Sequence, residues 1–495
     1  MKTMRIKKIL PALCGLAVCG SAGLSPAATE PQKPNIVFIL ADDMGIGDCS
    51  AYNPKSKIQT PNIDRLAQQG MRFTDAHAGG PICVPSRYSL MTGEYSSRTW
   101  DTWPPKGNKL NDPKKATIAS LLKTAGYDTA MVGKWHLGIE NNRKDPTDLK
   151  VKNSPVKFGF DYFFGINQSL DTEPYFYVEG DRMVAAPTEQ TKGQKGDPKK
   201  VSKPEIQGPM WREGDMAPGF VHQECLPLFT TKANDYLQSR SGNTKPFFLY
   251  LAFAGPHAPW LPSGEFQGKS QVGEYGDFMM MLDDCVGQVL QTLEKQGLAE
   301  NTLVIFSSDN GPLWFEQDTA MYGHNCSGIY RGHKLEYYEG GHRVPFIARW
   351  PGHVKPGSTS EQMVNFTDMM ATFADLSGVA LPPGAGVDSY SILPALLSQP
   401  PTGPVRTDNI HEQYGNKLAL AYRQGDWKLL LPKGVFKVMN KTITPAAMDG
   451  IKGFELYDLR NDPAESKNLA EANPEKTKAL FELLKSNIER GASHQ

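Results

Sequence analysis

Pro34-Asn35-Ile36-Val37-Phe38-Ile39-Leu40, running into Ala41-Asp42-Asp43, is the stretch that decides the fold. From Ile36 onward it is apolar without alternation, the pattern of a strand buried on both faces of a parallel sheet. Downstream, Thr60-Pro61 opens and Gly70 closes a helix. Thr117 to Ala125 reads as another helix and Tyr127 to Val132 as a strand. Phe247 to Phe253 is a third apolar run, Tyr275 to Gln296 a long amphipathic helix, and Thr302 to Ser307 a fourth strand. Strands alternating with helices predict an α/β domain with a mostly parallel sheet flanked by helices. Residues 188–208, polar and rich in Lys, Gly and Pro, read as a surface insertion. Leu381 to Arg406, rich in Pro, Gly and Ser, reads as a passage between domains. Beyond it, Leu418 to Tyr422, Trp427 to Leu431 and Glu455 to Leu459 read as strands, and Pro474 to Arg490 as a terminal helix. The expected division is a leader at 1–28, a catalytic domain at 33–390, a linking passage at 391–406 and a small α+β domain at 407–495.

Each of the four main strands is followed at once by polar residues able to do chemistry. The first leads to Asp42-Asp43, the second to Gly133-Lys134-Trp135-His136, the third to Gly255-Pro256-His257 and the fourth to Asp309-Asn310-Gly311. Ligands of open α/β sheets bind beyond the carboxyl ends of the strands. One edge is therefore expected to gather three acids, an amide, a lysine and two histidines. Asp42, Asp43, Asp309 and Asn310 offer only hard oxygen ligands, which suit Ca²⁺ or Mg²⁺ and disfavour zinc. Lys134 and His136 stand two apart, so on an extended segment they would point the same way.

The run Cys83-Val84-Pro85-Ser86-Arg87-Tyr88-Ser89-Leu90-Met91-Thr92-Gly93 puts a thiol where a helix would begin and an arginine one turn later. A helix start offers unpaired N–H groups and a positive dipole end. An anion held at Cys83 would meet both that end and a guanidinium. The run resembles the signature C-x-P-S-R-x-x-L-x-T-G of the type I sulfatases, whose fold is alkaline-phosphatase-like. The resemblance extends from about Asn35 to Gly352. It implies that a modifying enzyme converts Cys83 to formylglycine, whose aldehyde hydrate attacks sulfate esters. It also implies one Ca²⁺ held by Asp42, Asp43, Asp309 and Asn310, with residue 83 completing the shell. By the same resemblance, Lys134 and His136 contact the hydrate and the sulfate, and His257 assists the leaving oxygen. Lys334, in Arg331-Gly332-His333-Lys334 upstream of Glu339-Gly340-Gly341, matches the family's sulfate-binding lysine.

Composition narrows the alternatives. Lys+Arg 53 against Asp+Glu 53 leaves no net charge, which argues against a general nucleic-acid or membrane-surface binder. Lys2, Arg5, Lys7 and Lys8 precede an apolar stretch from Ile9 to about Val18, then small residues through Ala28, the layout of an export signal. That stretch is short for a bilayer span, and no later segment reads as transmembrane. A periplasmic or secreted protein is expected, with lipoprotein anchoring at Cys19 the lesser alternative. After export, Cys49, Cys225, Cys285 and Cys326 remain beside Cys83, enough for one disulfide but without metal-thiolate spacing.

An exported sulfatase meets sulfated carbohydrates. Gly159 to Gly165, Pro174 to Tyr177 and the helix from Tyr275 resemble the N-acetylgalactosamine-6-sulfatase branch. The expected reaction is exo-removal of the 6-sulfate of galactose or N-acetylgalactosamine, with the 4-sulfate of the same sugars or the 6-sulfate of N-acetylglucosamine as alternatives. Trp100, Trp103, Asp171, Tyr175 and His324 are the candidate sugar contacts, as aromatic faces or hydroxyl partners. Rival readings are a phosphate mono- or diesterase of the same superfamily, a hydrolase using the Cys83 thiol, and a non-enzymatic carbohydrate binder.

Overall fold

A computed structural model describes residues 33–99, 110–145, 147–397, 403–413, 418–433, 435–437, 442–443 and 452–493. The strand Asn35–Asp42 lies at its centre and is buried from Ile36 to Asp42. It pairs in parallel with Phe247–Pro256 on one side and Thr302–Ser308 on the other. Burial on both faces by neighbouring helices is why its sequence shows no alternation. Next outward on one side comes Asp128–Lys134 and then Tyr162–Ile166, both parallel. These five strands form the parallel heart of a ten-stranded sheet among the described residues. Its flanks turn antiparallel: Phe346–Arg349 and Met71–Phe73 on one side, Tyr177–Glu179 and Arg182–Met183 on the other. The sheet is thus mixed, with the parallel expectation met at the centre.

Helix limits follow their end signals. Pro61–Gln69 starts after Thr60 and stops at Gly70, turning Ile63, Leu66 and Ala67 inward. Ile118–Thr124 carries a reciprocal cap in which Thr117 and Ser120 bond each other's backbone N–H. Gly273–Lys295 buries one long face against the sheet. Cys83–Thr92 is wholly buried and ends on left-handed Gly93.

The C-terminal part is an antiparallel sheet, ordered Asp408–Gln413, Ala419–Gln424, Trp427–Leu430 and Glu455–Asp458, with the helix Pro474–Arg490 beside it. The first of these strands was not anticipated. Lys33–Gln495 forms one compact unit. Across it, Glu412 accepts from Ser96 Oγ and Ser97 N, and buried Arg406 pairs with buried Asp368 at 3.0 Å. Among the described residues all five cysteines are free and buried, so the single disulfide allowed by composition does not form there. Cys225 Sγ instead lies 3.1 Å from Tyr177 Oη, and Cys49 faces Asp64. The leader, Cys19 and part of the 391–406 passage fall outside the described residues.

Candidate active site

Parallel register brings the strand ends to one edge. Asp42 stands opposite Pro256, Ala41 opposite Ser308, and Gly133 opposite Ala252. The residues that follow therefore converge. Gly133 has φ +112°, and a Cβ there would lie 1.9 Å from Ala252 O, so only glycine lets the chain carry Lys134 across to Asp42. Lys134 Nζ donates to Asp42 Oδ2 at 2.5 Å. The strand ends at Lys134, and His136 has left-handed φ +59°. The two side chains are thus not neighbours along an extended segment, because the backbone turns between them. His136 is half-buried and its N–H donates to Asn167 O.

Asp43 is also left-handed, at φ +69°, a conformation non-glycine residues hold where surroundings over-determine it. Its carboxylate receives Lys334 Nζ at 2.7 Å and Asn310 Nδ2 at 2.7 Å, while its N–H donates to Asp309 Oδ1 at 3.2 Å. Arg87, one turn into the helix Cys83–Thr92, donates from Nε to Asp309 Oδ2 at 2.9 Å and from Nη1 to Lys134 O. Two backbone bonds lock the lysine loop in place, Lys334 N to Pro312 O and Leu335 N to Pro81 O. Cys83 opens its helix almost fully buried. Burial pushes its thiol upward, partly offset by Lys134 and Lys334. A buried thiol held protonated is a poor nucleophile by itself.

The carboxylates respond to the same field. Burial works against ionisation of Asp42, yet Lys134, His257 and Arg87 hold it well below the usual range. Burial, with Asp42 adjacent, lifts Asp309 to about 7 against the pull of Arg87 and Lys134. Asp42 Oδ1 and Asn310 Oδ1 are buried acceptors with no hydrogen-bond donor. Two bare oxygens in a cluster of four oxygen-bearing side chains are what a hard cation requires, so the residues fit a divalent ion of the Ca²⁺ or Mg²⁺ kind.

His257 Nδ1 lies 2.7 Å from Ala258 O. A carbonyl only accepts, so Nδ1 carries the proton and Nε2 is the atom free to exchange one. Nε2 lies 3.8 Å from Asp43 Oδ2. Asp171 is held low despite its burial by His257, Arg212 and Lys334. Arg212 Nη1 pairs with its carboxylate and also donates to Thr172 Oγ1. Tyr175 sits behind this pair, its hydroxyl donating to Arg212 O at 2.8 Å and its ring 4.6 Å from His222. His324 is buried against Asp48 at 2.9 Å. Trp100 and Trp103 lie outside the described residues. Arg212 escaped sequence reasoning because nothing local marks a loop arginine whose partner is 41 residues away.

Residues 34–379 match the family model described as Sulfatase. The chain belongs to the sulfatase family. Residues 332–429 also match the model for the C-terminal part of N-sulphoglucosamine sulphohydrolase. The chain is 36% identical to an N-acetylgalactosamine-6-O-sulfatase of Bacteroides thetaiotaomicron, over 97% of this chain and 99% of that one. It is 33% identical to human arylsulfatase A, over 95% and 90%. A solved Bacteroides thetaiotaomicron structure from work on glycosaminoglycan metabolism superposes with a TM-score of 0.79 at 34% identity, covering 93% of this chain and all of that one. A Pseudoalteromonas sulfatase, at 23% identity and TM-score 0.70 over 94% and 92%, shares the fold. This sulfatase is accordingly a sulfuric ester hydrolase, and the phosphatase, thiol-hydrolase and binding-protein readings fall away. The family generally works with formylglycine and a divalent metal. Among the described residues no helix is long and apolar enough to cross a membrane.

Proposed function

We propose that this sulfatase is exported, depends on Ca²⁺, and removes the 6-sulfate of galactose or N-acetylgalactosamine from the ends of mucin or glycosaminoglycan fragments. The observation that carries the substrate is the 36% identity to the Bacteroides N-acetylgalactosamine-6-O-sulfatase, spread over 97% of this chain. Residues 33–390 would carry the chemistry and 407–495 a smaller domain, joined by 391–406, once the leader 1–28 is removed.

Cys83, converted to formylglycine by a modifying enzyme, supplies a nucleophilic hydroxyl at the helix start. Ca²⁺, when held by Asp42, Asp43, Asp309, Asn310 and residue 83, neutralises charge on the sulfate oxygens. The chain's own residues do the rest. Lys134 and Lys334 bring two ammonium groups beside residue 83, and Arg87 braces Asp309 from below. Asp42, Asp43 and Asp309 cancel the charges of Lys134, Lys334 and Arg87. With a divalent ion bound and Asp309 ionised against it, these residues would leave a surplus of two positive charges, suited to a sulfate monoester and an ionised nucleophile. His136 accepts the proton on the residue 83 side. His257 donates from Nε2 to the leaving oxygen, since Nδ1–H is committed to Ala258 O. Asp171, with Trp100, Trp103, Tyr175 and His324, made up the candidate sugar contacts. Of these, Asp171 is best supported, because the charges of His257 and Lys334 act on its buried carboxylate, which Arg212 holds.

The test begins with peptide mass spectrometry for the aldehyde at position 83. The modified protein is then given galactose and N-acetylgalactosamine carrying 6- or 4-sulfate, and N-acetylglucosamine carrying 6-sulfate. Chromatography should find the 6-sulfated galacto sugars desulfated. Desulfation confined to the glucosamine series would overturn the substrate.

A further inference from the structure

We infer that Asp48, His324 and Tyr275 are positioning residues that set the affinity of the strand-end oxygen cluster for its divalent cation. The inference rests on the Ca²⁺ reading above.

Asp48 is fully buried, as nearly are His324 and Tyr275. No cationic lysine or arginine pairs with Asp48 among the described ion pairs; hydrogen-bond donors satisfy it instead. Oδ2 accepts Gly45 N at 2.8 Å and Tyr275 Oη at 2.6 Å, and Oδ1 lies 2.9 Å from His324 Nε2. A carboxylate only accepts, so His324 carries its proton on Nε2. Tyr275 Oη, its one proton given to Asp48, also packs 3.4 Å from Asp43 O, which sets it against the backbone of a metal-site residue.

That contact falls on a constrained segment. Asp43 is held left-handed, and its carboxylate meets Lys334 and Asn310 in the cluster. The loop is pressed onto the segment bearing His324. Gly47 N donates to Cys326 O at 2.7 Å, and a Cβ at Gly45 would stand 2.0 Å from that same oxygen. His324 is itself fixed by Trp314 Nε1, which donates to its carbonyl at 3.0 Å. Three distant segments, residues 43–48, the start of the helix Gly273–Lys295, and the loop at 324–326, therefore meet on one buried carboxylate. Losing a donor leaves Asp48 charged and under-satisfied in the interior, so the loop must rearrange. Asp43 is five residues away and would move with it. His324 is thus a support for the cation site rather than a sugar contact.

The experiment titrates Ca²⁺ by calorimetry into purified protein stripped of metal, for the parent, His324→Leu, His324→Gln and Tyr275→Phe. Outer-shell partners of metal ligands commonly contribute about 10–100-fold in affinity. His324→Leu should weaken Ca²⁺ binding by about that factor. His324→Gln, whose amide still donates to Asp48, should stay close to the parent, and Tyr275→Phe should fall between. Excess Ca²⁺ should restore kcat in all three, because every ligand is intact. If His324→Leu does not fold, Tyr275→Phe decides. Unchanged isotherms with a lowered melting temperature would overturn the inference and leave the Ca²⁺ reading standing. A parent protein that takes up no Ca²⁺ would overturn both.

Discussion

The strand-end cluster sets Asp42, Asp43 and Asp309 against Arg87, Lys134 and Lys334. A second buried cluster, between the catalytic sheet and the C-terminal sheet, sets Asp75, Glu339 and Glu465 against Arg343, Arg423 and Lys428. Each has three acids and three fixed cations. In the second, a lysine or arginine stands within ion-pair distance of each carboxylate. Lys428 Nζ reaches Glu339 at 3.0 Å, Glu465 at 2.9 Å and His342 Nε2 at 3.2 Å, and so fills the place a metal would take. Arg423 holds Asp75 by two bonds of 2.7 Å. The atoms there without a hydrogen bond are the two ring nitrogens of His411, stacked 3.6 Å from His342, and Glu465 Oε1, which has the Lys428 ammonium 2.9 Å away as its ion-pair partner. In the first cluster the bare acceptors are Asp42 Oδ1 and Asn310 Oδ1, while Arg87 Nη2, also without a hydrogen bond, is ion-paired with Asp309 at 2.8 Å. The difference teaches that charge balance alone does not distinguish a working site from a structural one. Unfilled oxygens mark a place for a cation, whereas unfilled imidazole nitrogens mark sensitivity to acid.

The largest effect should come from the nucleophile. Cys83→Ala should lower sulfate release by at least about 10³-fold, with melting temperature nearly unchanged because alanine fits the same buried helix start. Retained turnover would remove the strand-end cluster from the chemistry. Next, Asp42→Asn keeps the shape of the side chain but removes the charge facing Lys134. Activity should fall on the order of 10²–10³-fold, and elemental analysis should find the divalent ion lost with it. Zinc at stoichiometry, with activity surviving calcium chelation, would break the comparison at its first term.

Some of this was legible in the sequence. The central strands were readable because burial on both faces leaves uninterrupted apolar runs, and the site residues because each follows such a run directly. The antiparallel flanks were not, since strands such as Met71–Phe73 and Arg182–Met183 are too short for periodicity to register. Asp408–Gln413 reads as a polar loop, yet its residues are buried by pairings such as Tyr95 Oη to Asn409 Oδ1, 314 residues apart. Asp48 was invisible for the same reason, because His324 lies 276 residues away. The condition of an extended segment from Lys134 to His136 is not met, because the backbone at His136 is left-handed.

The second cluster can be tested through its internal cation. Lys428→Met leaves Glu339 and Glu465 buried without their shared ammonium. Breaking one side of a buried pair costs about 3–5 kcal/mol, so chemical denaturation should show a clear loss of stability. A variant as stable as the parent would mean that Lys428 does not take the place of a metal there.

Acid supplies the last and smallest test. His77 Nε2 lies 2.8 Å from Asp75 Oδ1, which fixes its proton there and leaves Nδ1 to accept from His342 Nδ1 at 3.0 Å. His342 Nε2 then accepts from Lys428, so neither ring has a lone pair to spare. Burial first, and Arg343 beside it, lower His77 to about 4. Burial and Lys428 hold His342 well down, and burial with the other two imidazoles does the same for His411. A histidine depressed in the folded state binds its proton more readily when unfolded. Its contribution is therefore fully present above about pH 6.5 and falls as the pH drops toward 4. For His77 the gap between 6.5 and about 4 corresponds to about 3 kcal/mol. Asp283 and Asp368, raised to about 6 by burial, titrate in the same window with the opposite sign, so total stability alone is not diagnostic. The comparison with His411→Phe isolates the imidazole, since the variant keeps a ring against His342 and loses only the titrating nitrogens. Thermal melts at pH 7.5 and 4.5 should show a smaller acid deficit in the variant than in the parent. Equal deficits would mean that the stacked imidazoles take up no protons on unfolding, and that the unpartnered nitrogens of His411 carry no acid sensitivity.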